Sequence, residues 1–112
     1  MNWIELLTET QLEEIRERSA NRPQLIFKHS TRCSISMMAK RRFELDWENL
    51  PDNMPLYFLD LIKHRDLSAK VANDFQVHHE SPQLLLIKDG ECVLDQSHGA
   101  ISVDEATSVL SE

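Results

Sequence analysis

Two thiols, Cys33 and Cys92, are the soft nucleophiles of this 112-residue chain, and their settings differ. Cys33 follows the polar stretch Ser30-Thr31-Arg32, which itself follows the apolar run Leu25-Ile26-Phe27. Beyond it, Ile35, Met38, Ala39 and Phe43 recur at helical spacing. The thiol is therefore expected where a buried strand turns into a helix. The first N–H groups of a helix lack internal partners, and its dipole places partial positive charge there. Arg32 adds a full charge next door. A free cysteine has a pKa near ~8.5, and such surroundings lower it to roughly 3.5–7.5. The expectation is a thiolate at neutral pH, set among the polar residues Ser30, Thr31, Arg32 and Ser34. Ser36 lies three residues on, giving Cys-x-x-Ser. A serine hydroxyl can hydrogen-bond a thiolate and cannot form a disulfide, so catalysis here would need one cysteine and an external thiol. The bland alternative, an inert packed cysteine, fits the polar flanks less well.

The remaining reactive residue types point less sharply. Cys92 falls in an apolar stretch after Gly90 and reads as packing. His78-His79-Glu80 reads as a loop, because adjacent histidines diverge on an extended chain and no further ligand sits at zinc-like spacing; no metal site is expected. Lys28 and His29 could tune a thiolate or attract an acidic ligand, or simply end a strand. Lys40-Arg41-Arg42 reads as the solvated side of a helix that could steer an anionic small thiol. Trp3 and Trp47 read as core or rim packing. Asp46, Glu48, Asp52 and Asp60 form no paired-carboxylate pattern, and neither a Gly-rich phosphate loop nor a Ser-His-Asp signature is present.

These residues need elements to position them. A first helix is expected from Thr8 or Thr10, with Leu12 and Ile15 on its inner face, stopped by Asn21-Arg22-Pro23. Gln24 to His29 reads as a buried strand. The Cys33 helix should run from about Ser34 and end before Pro51. Pro55 to Leu61 reads as a strand, and Leu67, Val71 and Phe75 mark another helix. Leu84 to Ile87 and Cys92 to Leu94 flank Asp89-Gly90, a strong hairpin signal. Ser102 and Glu105 form a capping-box pattern for a last helix carrying Val103, Ala106, Val109 and Leu110. The order α-β-α-β-α-β-β-α implies an α/β fold. Its four-stranded mixed sheet should carry helices on both faces, as one domain over residues 1–112.

Composition bounds the partners. The chain is 41% hydrophobic and 28% charged, which suits one soluble core. A net charge of −7 disfavours phosphate-backbone binding, so no nucleic-acid partner is expected. The N-terminus lacks the basic and apolar pattern of a secretory signal, and no apolar run is long enough to cross a membrane. With two cysteines and no disulfide framework, a cytoplasmic location is the expectation.

The segment Phe27-Lys28-His29-Ser30-Thr31-Arg32-Cys33-Ser34-Ile35-Ser36 resembles the strand-turn-cysteine-helix of the thioredoxin superfamily. Ser81-Pro82-Gln83-Leu84-Leu85-Leu86-Ile87 resembles its cis-proline loop, and Gly99-Ala100-Ile101-Ser102 the lead into its last helix. More narrowly, Phe27 to Ser36 and His79-Glu80-Ser81-Pro82-Gln83 resemble monothiol bacilliredoxin-like proteins of the bacillithiol system, known as general stress proteins. The similarity runs nearly end to end. This chain has Ser34 where such motifs often carry proline.

The resemblance implies a thioredoxin-like fold in which Pro82 is cis and lies beside Cys33. Ser81 would offer backbone hydrogen bonds to an extended thiol ligand, with Thr31 and Pro82 also contacting substrate. It implies a monothiol oxidoreductase in which Cys33 removes bacillithiol from protein mixed disulfides, with Arg32 and Ser36 stabilising the thiolate. No tightly bound cofactor is implied; bacillithiol is the co-substrate, S-thiolated proteins are the partners, and the protein is a monomer or weak dimer. The alternatives are a non-catalytic binding module and an iron–sulfur carrier. Monothiol glutaredoxins of the latter type carry Cys-Gly-Phe-Ser, whereas this chain has Cys-Ser-Ile-Ser.

Overall fold

A computed structural model describes residues 1–111. The elements run β1 (Ile4–Glu5), α1 (Glu9–Arg18), β2 (Gln24–His29), α2 (Ser34–Asp46), β3 (Leu56–Asp60), α3 (Arg65–Asp74), β4 (Gln83–Lys88), β5 (Glu91–Ser97) and α4 (Val103–Leu110). Short 3₁₀ turns follow α2 and β5. The sheet order is β1-β3-β2-β4-β5. β2 pairs in parallel with β3, as a strand-helix-strand crossover requires, and antiparallel with β4. All six residues of β2 are buried, because strands flank it on both edges and helices cover both faces.

Alternation along β2 divides the core. Leu25 and Phe27 pack with Ala39 and Phe43 of α2 and with Val103 and Ala106 of α4. Ile26 faces the other way, into a cluster with Leu12 and Ile15 of α1 and Leu67 and Val71 of α3. This period-two division also decides that Lys28 and His29, adjacent in sequence, leave the sheet on opposite faces.

Local chemistry explains the boundaries. Thr8 caps α1 through a reciprocal box: its hydroxyl accepts from the Gln11 N–H at 3.1 Å, and Gln11 Oε1 accepts from the Thr8 N–H at 3.1 Å. At the β4–β5 turn, Asp89 (φ 53°) and Gly90 (φ 79°) both take positive φ, the tight hairpin geometry the Asp-Gly pair favours. The turn is fastened to the end of α1: the Asp89 N–H donates to the Ser19 carbonyl (2.9 Å) and the Gly90 N–H to the Ser19 hydroxyl (2.8 Å).

Three details differ from the sequence reading. The sheet has five strands, not four, because Ile4–Glu5 pairs in parallel with Tyr57–Phe58; two residues are too few to show a period. In α2 the buried face is Ser36, Ala39 and Phe43, while Ile35 and Met38 are exposed. At α4, Ser102 accepts from the Glu105 N–H (3.3 Å), but Gln96 interrupts the return bond. Its side chain accepts from the Ser102 N–H (3.2 Å) and donates to the Glu105 carboxylate (2.8 Å).

Candidate functional site

Cys33 is the N-cap residue of α2, with extended backbone (φ −114°, ψ 118°). Its N–H donates to the Ser30 carbonyl (3.2 Å), and its carbonyl accepts the first helical bond from Met37 (3.1 Å). The thiol is partly exposed and free. Its pKa is held below the ordinary value, first by the Ser36 backbone N–H. Partial burial opposes the shift; the Ile35 N–H and the Ser36 hydroxyl add to it. The helix start thus stabilises the thiolate through unpaired donors, as expected for a cysteine at an N-cap.

Ser36 is fully buried and accepts a long bond from the Ser30 N–H (3.4 Å). That contact ties the turn before Cys33 to the first turn of α2. Arg32 is exposed, makes no ion pair among the described residues, and is absent from the groups that shift the Cys33 thiol. A neighbouring surface charge is screened by water, whereas aligned backbone donors act at contact. Thr31 is exposed beside it.

The Ser81–Pro82 peptide is cis, as the resemblance implies. Gln83 pairs with Lys28 across β4 and β2, so continuing the register by one residue sets Pro82 level with His29. The proline loop and the Cys33 turn therefore share one end of the sheet. The Pro82 carbonyl accepts from the His98 N–H (3.2 Å), and the buried Ser81 hydroxyl oxygen finds no hydrogen-bond partner among the described residues.

A family model for monothiol bacilliredoxin BrxC matches residues 4–106. The chain belongs to the monothiol bacilliredoxin family. A solved protein of thioredoxin fold, described as a candidate oxidoreductase, is 33% identical to this bacilliredoxin at a TM-score of 0.82, covering 98% of this chain and 94% of the other. Thioredoxin from Fasciola hepatica superposes at 0.72 with 18% identity, covering 96% of each chain. The Schistosoma mansoni thioredoxin pre-protein superposes at 0.70 with 20% identity, covering 99% and 97%. The two thioredoxins show the shared fold. Family and fold together assign this bacilliredoxin a role in thiol–disulfide redox chemistry.

The second thiol of the bacilliredoxin has the opposite character. Cys92 sits on β5 opposite Ile87, donates from Sγ to the Leu94 carbonyl (3.2 Å), and has its pKa pushed up to about 11 by burial, with Asp95 adding to the shift. Lys28 does not face the thiol. It is wholly buried on the α3 side, donating from Nζ to the Ser68 carbonyl (3.1 Å) and lying 3.3 Å from His79 Nδ1. Burial lowers its pKa to about 8. His29 does face α2, with its ring centroid 5.2 Å from that of Phe58 and 6.3 Å from that of Phe27. Burial pushes the His29 pKa down, favouring neutral imidazole. Its depth follows from β2 alternation, a signal present in the sequence once strand pairing is known.

Proposed function

We propose that this bacilliredoxin removes a low-molecular-weight thiol, bacillithiol by family resemblance, from cytoplasmic proteins that carry it as a mixed disulfide. The Cys33 thiolate attacks the small-thiol sulfur, and the protein partner leaves as its thiolate. Cys33 then holds the small thiol in a new disulfide. A second small-thiol molecule, as thiolate, attacks that adduct, releasing the oxidised small-thiol dimer and restoring Cys33. No tightly bound cofactor takes part, and each exchange conserves one disulfide.

The observation that carries this reading is the pairing of one activated thiol with a serine, not a second cysteine, three residues on. The Ser36 hydroxyl favours the thiolate and cannot close an intramolecular disulfide. In this reading Thr31, Ser81 and Pro82 border the incoming disulfide, with Ser81 supplying backbone bonds to an extended ligand. The decisive assay follows release of bacillithiol from a purified S-bacillithiolated protein. Wild type transfers the adduct to Cys33, seen by mass spectrometry, and Cys33→Ala releases nothing. Turnover retained by Cys33→Ala rejects the mechanism.

A further inference from the structure

Between α2 and β3, reaching Ser34 beside Cys33, lies a cleft of about 540 Å³, a volume suited to a small molecule. Ser34, the residue after Cys33, lines it. Met37, Met38 and Phe58 give it apolar walls. His29 also lines it, only 4% exposed, and His29 Nδ1 finds no hydrogen-bond partner among the described residues. A buried polar atom without a partner is costly unless something fills the position.

The charges of the cleft are unequal in availability. Lys40 is paired with Glu44 at 2.9 Å, and the same Glu44 oxygen accepts from Trp3 Nε1 at 2.7 Å. Those two charges offset each other. Arg41 also lines the cleft, is exposed, and makes no ion pair among the described residues. In a chain of net charge −7, this leaves the cleft with a cation that no carboxylate offsets. Arg42, next in sequence, lies outside the cleft and donates instead to the His98 carbonyl (3.3 Å).

We infer that this cleft is the subsite for the carboxylate-bearing part of the small thiol: Arg41 pairs with its carboxylate, His29 Nδ1 hydrogen-bonds its polar skeleton, and Met37, Met38 and Phe58 pack its carbon atoms. The inference rests on the redox reading, since the ligand is tethered at Cys33 through its sulfur. The tethering step is Cys33–S⁻ + RS–SR → Cys33–S–SR + RS⁻, which leaves one disulfide and one thiolate on each side. The unpaired arginine makes the site selective for anionic thiols over neutral or cationic ones.

Three symmetrical disulfides test it: glutathione disulfide (anionic), bis(2-hydroxyethyl) disulfide (neutral) and cystamine (cationic). The rate of Cys33 adduct formation at pH 7 is measured by mass spectrometry for wild type, Arg41→Glu, Arg42→Glu and His29→Phe. Wild type should favour glutathione disulfide over cystamine by about tenfold, and Arg41→Glu should reverse the order, as expected for one charge-assisted contact. Arg42→Glu, the same charge change outside the cleft, should alter the ratio less than about twofold. His29→Phe should slow glutathione disulfide about threefold and leave the neutral disulfide unchanged. Equal effects of Arg41→Glu and Arg42→Glu indicate a general helix field and overturn the subsite. A His29→Phe effect equal for all three disulfides does the same. Failure of every disulfide to modify wild-type Cys33 overturns the redox reading and the subsite with it.

Discussion

Cys33 and Cys92 are the same residue in two environments, and the environments do all the differentiating. Cys33 caps a helix, where the Ser36 and Ile35 N–H groups favour the thiolate. Cys92 lies half-buried on the edge strand β5, where the Leu94 and Leu86 N–H groups also favour the thiolate but are outweighed. Burial and Asp95 drive its pKa up to about 11. Backbone donors serve both sulfurs, but only at the exposed helix start do they outweigh the cost of burying a charge. Burial, more than any other difference, decides which sulfur reacts.

Replacing each cysteine gives the largest contrast. Cys33→Ser should lower disulfide exchange by on the order of 10³-fold, while Cys92→Ser should leave it within about twofold, measured as adduct release from a thiolated protein. Comparable losses in both variants would break the distinction. Next in size is alkylation. With a pKa of about 11, only about one in 10⁴ of Cys92 is thiolate at pH 7. Site-resolved iodoacetamide labelling should therefore be at least ~10²-fold faster at Cys33, with a midpoint below that of an ordinary thiol. Cys92 labelling should climb only as pH approaches 11.

Lys28 extends the contrast to a buried cation. Its folded pKa of about 8 lies below the ordinary lysine value of 10.5. Between those values the unfolded chain binds more protons than the folded one, so this group makes stability rise with pH across that window. Below about 8 both states are protonated and the full cost remains. Lys28→Met should raise stability at pH 7 by roughly 2 kcal/mol and flatten the rise, read from urea unfolding at several pH values. Smaller still, Ser36→Ala should raise the Cys33 pKa and slow alkylation at pH 7 about threefold, since one hydrogen bond is lost. Arg32→Ala should change the same rate by less than about twofold; a larger loss would return a formal charge to the account.

Much of this was legible in the chain because it was written in long, unambiguous patterns. Leu25-Ile26-Phe27 followed by polar residues and a helical repeat located the thiol, and Asp89-Gly90 located the hairpin. What escaped notice depends on three-dimensional pairing. The two residues of β1 carry no period of their own. The rotation of α2 leaves Ile35 and Met38 in water because Ser36 is drawn inward to the Ser30 N–H, a bond no spacing rule announces. The cleft beside His29 needed α2 and β3, separate stretches of the chain, to be brought together.

The clasp between Ser19 and the Asp89–Gly90 turn has a consequence for motion. Two amides near residue 90 depend on Ser19, which caps the end of α1 71 residues before Gly90. Neither can open to solvent while that helix end stays in place, so the hairpin tip and the carboxyl end of α1 should exchange their amide hydrogens as one cooperative unit. Regions far apart along the chain thereby share a single opening event, at the end of the sheet opposite the reactive sulfur.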